Sequence, residues 1–518
     1  MKRTLTLLTL ASSFSLLAGC LPTAATTQEG GANANDRTLG GEPGEVLLTG
    51  AMQVSPSGHF AVMQRNSVTV VFDVAQNQAT ELSEQVARVA FSKTRDVAYV
   101  LFPSGALAAI DLATSKELWR EAGPLVDVSL LRVTDDDARL VVVDGTVAKV
   151  LDPATGALSG TALLPSSVSF GAFTAKGDKL ALVGHTTWTA HAPKTPVTLL
   201  DLATRALSSV DIPNCEAPPA ILPDASRILV SPTFCEEDRA SDPKDQWTNP
   251  DPVSVVDVGE AGLSFLKNLP GFGPVALSPD GSRAVAYLDT KRIDASMFED
   301  KSLIPGANAP EYHLMVIDPK TLAYSVSPIG DALPRFAMSR DGKRLYVDAS
   351  VKIQHRAQAS ANASASIGPS GITVGAGVSV KIFDEASPFG AFDLETKRFE
   401  KFSGPQAGLD RFVQLADDRT IVTLEKRADG LGGVPFVIDA ESHTTRALGG
   451  DYGTGVRDVG LLPDGKTILL RFREPAAQVG TGLFARETYC LSLDGETCAS
   501  GRFDYQASVA FATVDTND

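Results

Sequence analysis

The stretch AIDLATSKELW, Ala109–Trp119, decides how this chain is read, because it is one of a series. An apolar run ends in Asp, a tight polar turn follows, and a new extended run begins. The figure returns as VFDVAQNQ, VLDPATGA, LLDLATRA, VVDVGEAG, VIDPKTLA, AFDLETKR, VIDAESHT and SLDGETCA. At the turning points stand Asp73, Asp111, Asp152, Asp201, Asp257, Asp318, Asp393, Asp439 and Asp494. Ahead of each lies another kind of turn: SPSG (55–58), SKTR (92–95), TDDD (134–137), TAKG (174–177), LPDA (222–225), SPDG (278–281), SRDG (339–342), ADDR (416–419) and LPDG (462–465). Gly and Asp tolerate the positive φ of tight hairpins, and Asp and Thr side chains bond the nearby backbone.

Between the two turns lie runs such as RLVVV, KLALV, RILVS, RAVAY and RLYV, β-branched or aromatic, of strand length and free of Pro. Each unit therefore reads as a four-stranded antiparallel sheet. One such sheet cannot bury both faces, so successive units must stack around an axis. The expectation is all-β: a single β-propeller of eight or nine four-stranded blades over residues 46–518, with SVAFATVD (508–515) helping to close the ring.

The repeats resemble the Ser-Pro-Asp-Gly propellers of the TolB and YVTN type. AIDLATSKELW resembles the tryptophan-docking repeat of quinoprotein dehydrogenases, with Ser115 where that repeat has Gly. In those propellers the Trp packs between blades, and the chemistry lies in a pocket with adjacent cysteines and a Ca²⁺-binding carboxylate set. This chain has no adjacent Cys pair, and VLDPATGAL has Leu158 near the Trp position, so the resemblance implies architecture rather than redox chemistry.

The first residues, MKRTLTLLTLASSFSLLAGC, combine Lys2 and Arg3 with an apolar run, Leu5 to Leu17, too short to be read as a membrane span. Leu17-Ala18-Gly19-Cys20 resembles a bacterial lipobox, which implies a signal peptide over 1–19 and a lipid anchor on Cys20. Leu21 after the cysteine implies outer-membrane sorting, since Asp there favours retention in the inner membrane. Residues 20–45, rich in Thr, Ala, Gly and Asn, read as a flexible tether. The formal charge of −16 moves to about −18 on loss of Lys2 and Arg3, which argues against nucleic acid as a partner. The other cysteines, Cys215, Cys235, Cys490 and Cys498, suggest two disulfides with three connectivities open; the local pairs Cys215–Cys235 and Cys490–Cys498 are favoured.

Unit length varies between the second and third strands of each unit, at 184–196, 231–252, 289–311, 348–380, 426–433 and 472–482. In a propeller these connections share one face with the blade-to-blade crossings, so that face is the candidate binding surface. Trp188 and Trp247 on these loops suit recognition, and His185 and His191 are candidate polar contacts. No metal site is expected from the two histidines, which lack a third ligand at recognisable spacing. The longest insertion alternates small residues around GPSG and reads as a protruding hairpin, 348–384.

No Gly-x-Ser-x-Gly elbow and no His-Glu-x-x-His is present. The repeated aspartates read as turn bonds, with acid/base or Ca²⁺ roles for a few of them left open, and no other cofactor is expected. The resulting expectation is a non-catalytic, outer-membrane-anchored binding or assembly scaffold whose partner is an envelope protein, peptidoglycan or another glycan. An outer-membrane lipoprotein of this kind resembles the assembly-factor propeller that serves barrel insertion, although this chain has longer loops and lacks the docking Trp elsewhere. The alternative is a hydrolase or lyase with its site at the channel mouth.

Overall fold

Four strands joined by the two kinds of turn make one antiparallel meander, and the described residues make nine of them in succession. The structure, a computed structural model, describes the backbone of residues 46–504 apart from several internal stretches, of which 233–251 is the longest. Every strand named below belongs to the unit Asn33–Asp518. The β-propeller blades run from blade 1, Met52–Val54 to Gln78–Glu81, through to blade 9, Val456–Leu461 to Thr497–Asp504. Seven are separate sheets, and the last two join in one larger sheet through Gly433 and Val456.

Blade 2 shows why these residues form this structure. Its strands are Arg88–Phe91, Val97–Leu101, Leu107–Asp111 and Lys116–Glu121. The second is buried at every position, whereas the fourth is mostly exposed. Successive side chains in a strand point to opposite faces. Ala98 and Val100 accordingly pack with Phe60, Val62 and Val71 of blade 1. Val97, Tyr99 and Leu101 pack with Leu131, Val133, Leu140 and Val142 of blade 3. Both faces are thus buried by neighbouring blades, which is why the middle strands read as continuous apolar runs.

First strands lie innermost, each against the next from Arg88–Phe91 through Val128–Val133, Val168–Phe173, Pro219–Ile221 and Phe272–Leu277 to Arg335–Met338. The series returns on itself, because Met52–Val54 of blade 1 lies against Val456–Leu461 of blade 9, and Gln78–Glu81 against Thr497–Asp504. Blade count therefore stands at the upper end of the expectation. Residues 508–515, expected to help close the ring, lie outside the described residues, as does the segment 1–45.

Neighbouring blades are keyed at both turns. In the first turn, Gly281 (φ +67°) has no room for a Cβ, which would stand 2.4 Å from Pro223 Cδ of the preceding blade. Blade 3 has Asp137 there instead, also at positive φ, and its carboxylate accepts from Lys93 N, Thr94 N and Ser92 Oγ of blade 2 at 2.8, 2.8 and 2.6 Å. In the second turn, Trp119 of blade 2 covers Gly156 of blade 3 and donates from Nε1 to the Pro153 carbonyl at 3.2 Å. One interface further on, bulk changes sides: Arg205 of blade 4 reaches back over Gly160 of blade 3 and bonds the Ser159 carbonyl. Gly160 follows Asp152 at the same distance as Trp119 follows Asp111, so Gly160, not the exposed Leu158, is the Trp equivalent.

One second turn departs from the series. Val253–Gly259 and Gly262–Leu269 continue past Asp257, which pairs with Ser264 inside the ladder, and the chain reverses at residues 260 and 261. Asp257 is there an ion-pair partner of Arg227 at 3.5 Å rather than a turn residue.

Candidate functional site

The insertions all leave from one end of the blades, opposite both kinds of turn. On that end the best-defined polar cluster sits at blade 4, where Thr187–Thr189 folds back on Ala192–Asp201. Beside it runs the crossing to blade 5, Pro213 to Pro218. Asn214 within that crossing is fully buried. Its Nδ2 donates to the Pro252 carbonyl at 2.6 Å and to Ser254 Oγ at 3.0 Å, and its Oδ1 accepts from Cys215 N at 2.9 Å. Its carbonyl accepts from Thr195 Oγ1. A buried amide satisfied on every side is costly to displace, so the crossing is held in one conformation.

That anchor positions the groups above it. Thr195 Oγ1 bonds Thr186 Oγ1 at 2.8 Å, Glu216 N donates to Thr186 Oγ1 at 2.8 Å, and Thr186 N donates to the Glu216 carboxylate. Glu216 Oε1 then lies 3.3 Å from His185 Nδ1, and Ser169 Oγ lies 2.8 Å from the same nitrogen. The His185 side chain is 56% exposed. Trp188 is half-buried and stands opposite Pro193 in the short ladder.

Ser, His and Glu meet here, yet the contacts do not form a nucleophile relay. A relay needs the acid on one imidazole nitrogen and the hydroxyl on the other, whereas here both address Nδ1. What the cluster offers is a fixed carboxylate, an imidazole and hydroxyls, with Trp188 in the adjoining strand Thr187–Thr189, which suits recognition. Among the described residues no group of three or more His, Cys, Asp or Glu could hold a metal ion.

Of the residues singled out in the sequence, His185 lies in this cluster and Trp188 in the adjoining strand Thr187–Thr189. His191, Trp247, Cys235 and Cys20 lie outside the described residues. Cys215 is buried and disulfide-bonded. Cys490 and Cys498 lie on paired strands, but the register sets Cys490 opposite Ser500 and Cys498 opposite Ser492. Ser169, Asn214 and Glu216 were not found by sequence reasoning. Ser169 lies on another strand and Glu216 on a crossing, and only the rigid look of Pro-Asn-Cys-Glu-Ala-Pro-Pro could have drawn notice.

Three further histidines, His59, His443 and His313, have local settings within the blades. His59 bonds Asp96 of blade 2 at 3.0 Å, and His443, at positive φ in a second turn, reaches Glu400 of blade 7 at 2.9 Å. His313 is buried, its Nδ1 has no hydrogen-bond partner, and burial holds its pKa below the usual imidazole range. The turn aspartates are occupied by the turns. The backbone amide and hydroxyl of Thr155 hold the Asp152 carboxyl below its ordinary range, and those of Thr204 do the same for Asp201.

The fold is that of a β-propeller, with a polar ledge at blade 4. No family model matches the chain, and no curated protein matches it. Among solved structures it is similar to a hydrazine synthase of Kuenenia stuttgartiensis (14% identity, 58% of this chain and 93% of that one, TM-score 0.37). It is also similar to the Cps50 (Swd1) β-propeller domain of Myceliophteria thermophila (12%, 58% and 93%, 0.33). A chain of a mitotic checkpoint complex overlaps at 19% identity over 45% of this chain and 70% of that one, with TM-score 0.34. Overlaps this loose carry no argument about partner or activity.

Proposed function

We propose that this chain is a non-catalytic binding scaffold, held at the outer membrane by a lipid on Cys20, that takes its partner on the insertion-bearing face. The observation that supports this reading is the cluster of Ser169, His185 and Glu216 standing on the buried Asn214 network, with Trp188 in the adjoining strand. Functional groups carried on a rigid support lose little entropy on binding. The partner class is an envelope protein or a glycan such as peptidoglycan, both of which an indole beside hydrogen-bonding groups can engage.

The competing hydrolase or lyase reading rests on Ser169 beside His185 and is disfavoured by their shared use of Nδ1 with Glu216. The test is binding of soluble peptidoglycan fragments and crosslinking in isolated envelopes, using the mature protein and its Trp188→Ala and Glu216→Ala variants. Each variant is expected to weaken binding roughly tenfold while the unfolding transition stays in place. Binding untouched by both variants, or turnover of an ester or glycoside substrate abolished by Ser169→Ala, would overturn the proposal.

A further inference from the structure

The longest insertion belongs to no blade. His355–Gly368 and Gly371–Asp384, 14 residues each, pair only with each other, in unbroken antiparallel register from His355 opposite Asp384 to Gly368 opposite Gly371. The register sorts the composition by face. Ala359 stands opposite Val380, Ala361 opposite Val378, and Ala365 opposite Val374. Every position of that set from Ala357 to Ile382 is Ala, Val or Ile. The other set pairs Ser360 with Ser379, Asn362 with Gly377, and Ser366 with Thr373. Alternate residues of a ladder share a face, so from Ala357 opposite Ile382 to Ile367 opposite Ile372 one face carries only Ala, Val and Ile, and the other, from Ser360 opposite Ser379 onward, is small and polar.

Charge adds a second observation. In a chain with 21% charged residues, none falls between Arg356 and Lys381. The charged residues Arg356, Lys381 and Asp384 all stand at the base, the His355–Asp384 end of the ladder, and the ladder runs uncharged from there to Gly368 opposite Gly371. From base to tip each uncharged strand is about eleven residues, or about 36 Å along the chain. Tilted by about 40°, as strands in membrane barrels are, it spans about 28 Å, the height of a bilayer's apolar band. A face meant for a soluble protein partner would not require its opposite face to shed every charge as well.

We infer that this hairpin is a membrane-inserting element, and that copies from several chains close into a transmembrane β-barrel with the Ala/Val/Ile face toward lipid and the Ser/Asn/Gly face toward water. One hairpin cannot cross alone, because its outer edges would leave backbone groups unpaired in hydrocarbon. Closure at the smallest known barrel size takes eight strands, so about four copies or more assemble. The many alanines on the apolar face keep it weakly hydrophobic, which lets the hairpin stay in water before assembly. This goes beyond the binding reading and is independent of the ledge at blade 4.

The test uses the full mature protein with vesicles of phosphatidylethanolamine and phosphatidylglycerol loaded with a self-quenching dye. The wild-type protein is expected to release dye and to float with the vesicles as a detergent-resistant oligomer. Ala361→Asp and Val378→Asp should each lower release more than roughly tenfold, because they put a charge on the lipid side. Asn362→Asp and Ser379→Asp should leave release within about twofold and turn the conductance toward cations. All four should unfold at the wild-type temperature, which shows that the propeller is intact. Absence of release by the wild type, equal loss from both faces, or release that persists after residues 357–380 are replaced by a Gly-Ser linker would overturn the inference. Hairpin-dependent crosslinking to a soluble protein without any release would overturn it in favour of a protein-docking arm. Loss of ligand binding on Trp188→Ala with release intact would bear on the ledge alone.

Discussion

Trp119 of the second blade lies over Gly156 of the third so closely that a Cβ on Gly156 would stand 2.7 Å from the indole. Gly156 also holds φ at +72°, so two independent constraints exclude a side chain there. Gly156→Ala is expected to lower stability by about 2–3 kcal/mol, combining backbone strain with displacement of the ring. Gly145→Ala is the matched control, at φ +59° with nothing within 4 Å of its Cβ, and should cost only about 1 kcal/mol. Urea midpoints at unchanged slope measure the difference.

Asp137 ties the first turns of blades 2 and 3 through the backbone amides of Lys93 and Thr94. Asp137→Ala leaves both donors without that acceptor and should cost about 1–3 kcal/mol. Hydrogen exchange should quicken first at residues 92–95; an unchanged exchange rate there would show that the turns hold together without it.

Acid should loosen the turns in a defined window. Hydrogen bonds from Ser278 and Ser282 lower the Asp280 carboxyl to about 2. A carboxyl lowered on folding contributes stability that is complete above its unfolded pKa, near 3.8, and is lost as pH falls toward 2. Asp280 is exposed, so solvent screening keeps the effect small. Asp280→Asn should flatten the dependence of the unfolding temperature on pH between about 4 and 2.

His313 acts at a different pH. It shares a strand face with Met315 and Ile317, which pack toward blade 5, and burial lowers its pKa from 6.5. The unfolded chain takes up a proton near that value while the folded chain does not, so stability declines as pH falls below about 6.5. His313→Leu should remove this decline and, because Nδ1 has no hydrogen-bond partner, should not destabilise the protein at pH 7 by more than about 1 kcal/mol. Unfolding temperatures at pH 7.5 and 5.5 are the readout.

The blades were legible because their signals are local. Asp111 and Thr114 form the turn by bonding within three residues, Asp111 Oδ1 accepting from Thr114 N and Oγ1 at 2.8 Å each, and that chemistry repeats in step with the strands. Asp257 shows the limit of the repeat, since a turn-like Asp became a strand residue where Gly259 and Gly262 offered a tighter reversal. In blade 3 Leu158 stands near the Trp position, and the spacing from Asp152 puts the equivalent itself two residues on, at Gly160. What fills that position was not legible, because it is Arg205 of the next blade that lies over Gly160.

The sequence by itself determined the four-stranded unit, the repeated turns and the address of the insertions, because tight turns and apolar periodicity act over a few residues. Only the tertiary structure decided that blade 1 lies beside blade 9, that Ser169, His185 and Glu216 meet, and that Asn214 holds them there. It also fixed which residues of 355–384 share a face, since register is a relation between two strands and a slip of one residue would exchange the faces. Contacts between distant segments depend on how sheets stack, and no single stretch of chain encodes that stacking.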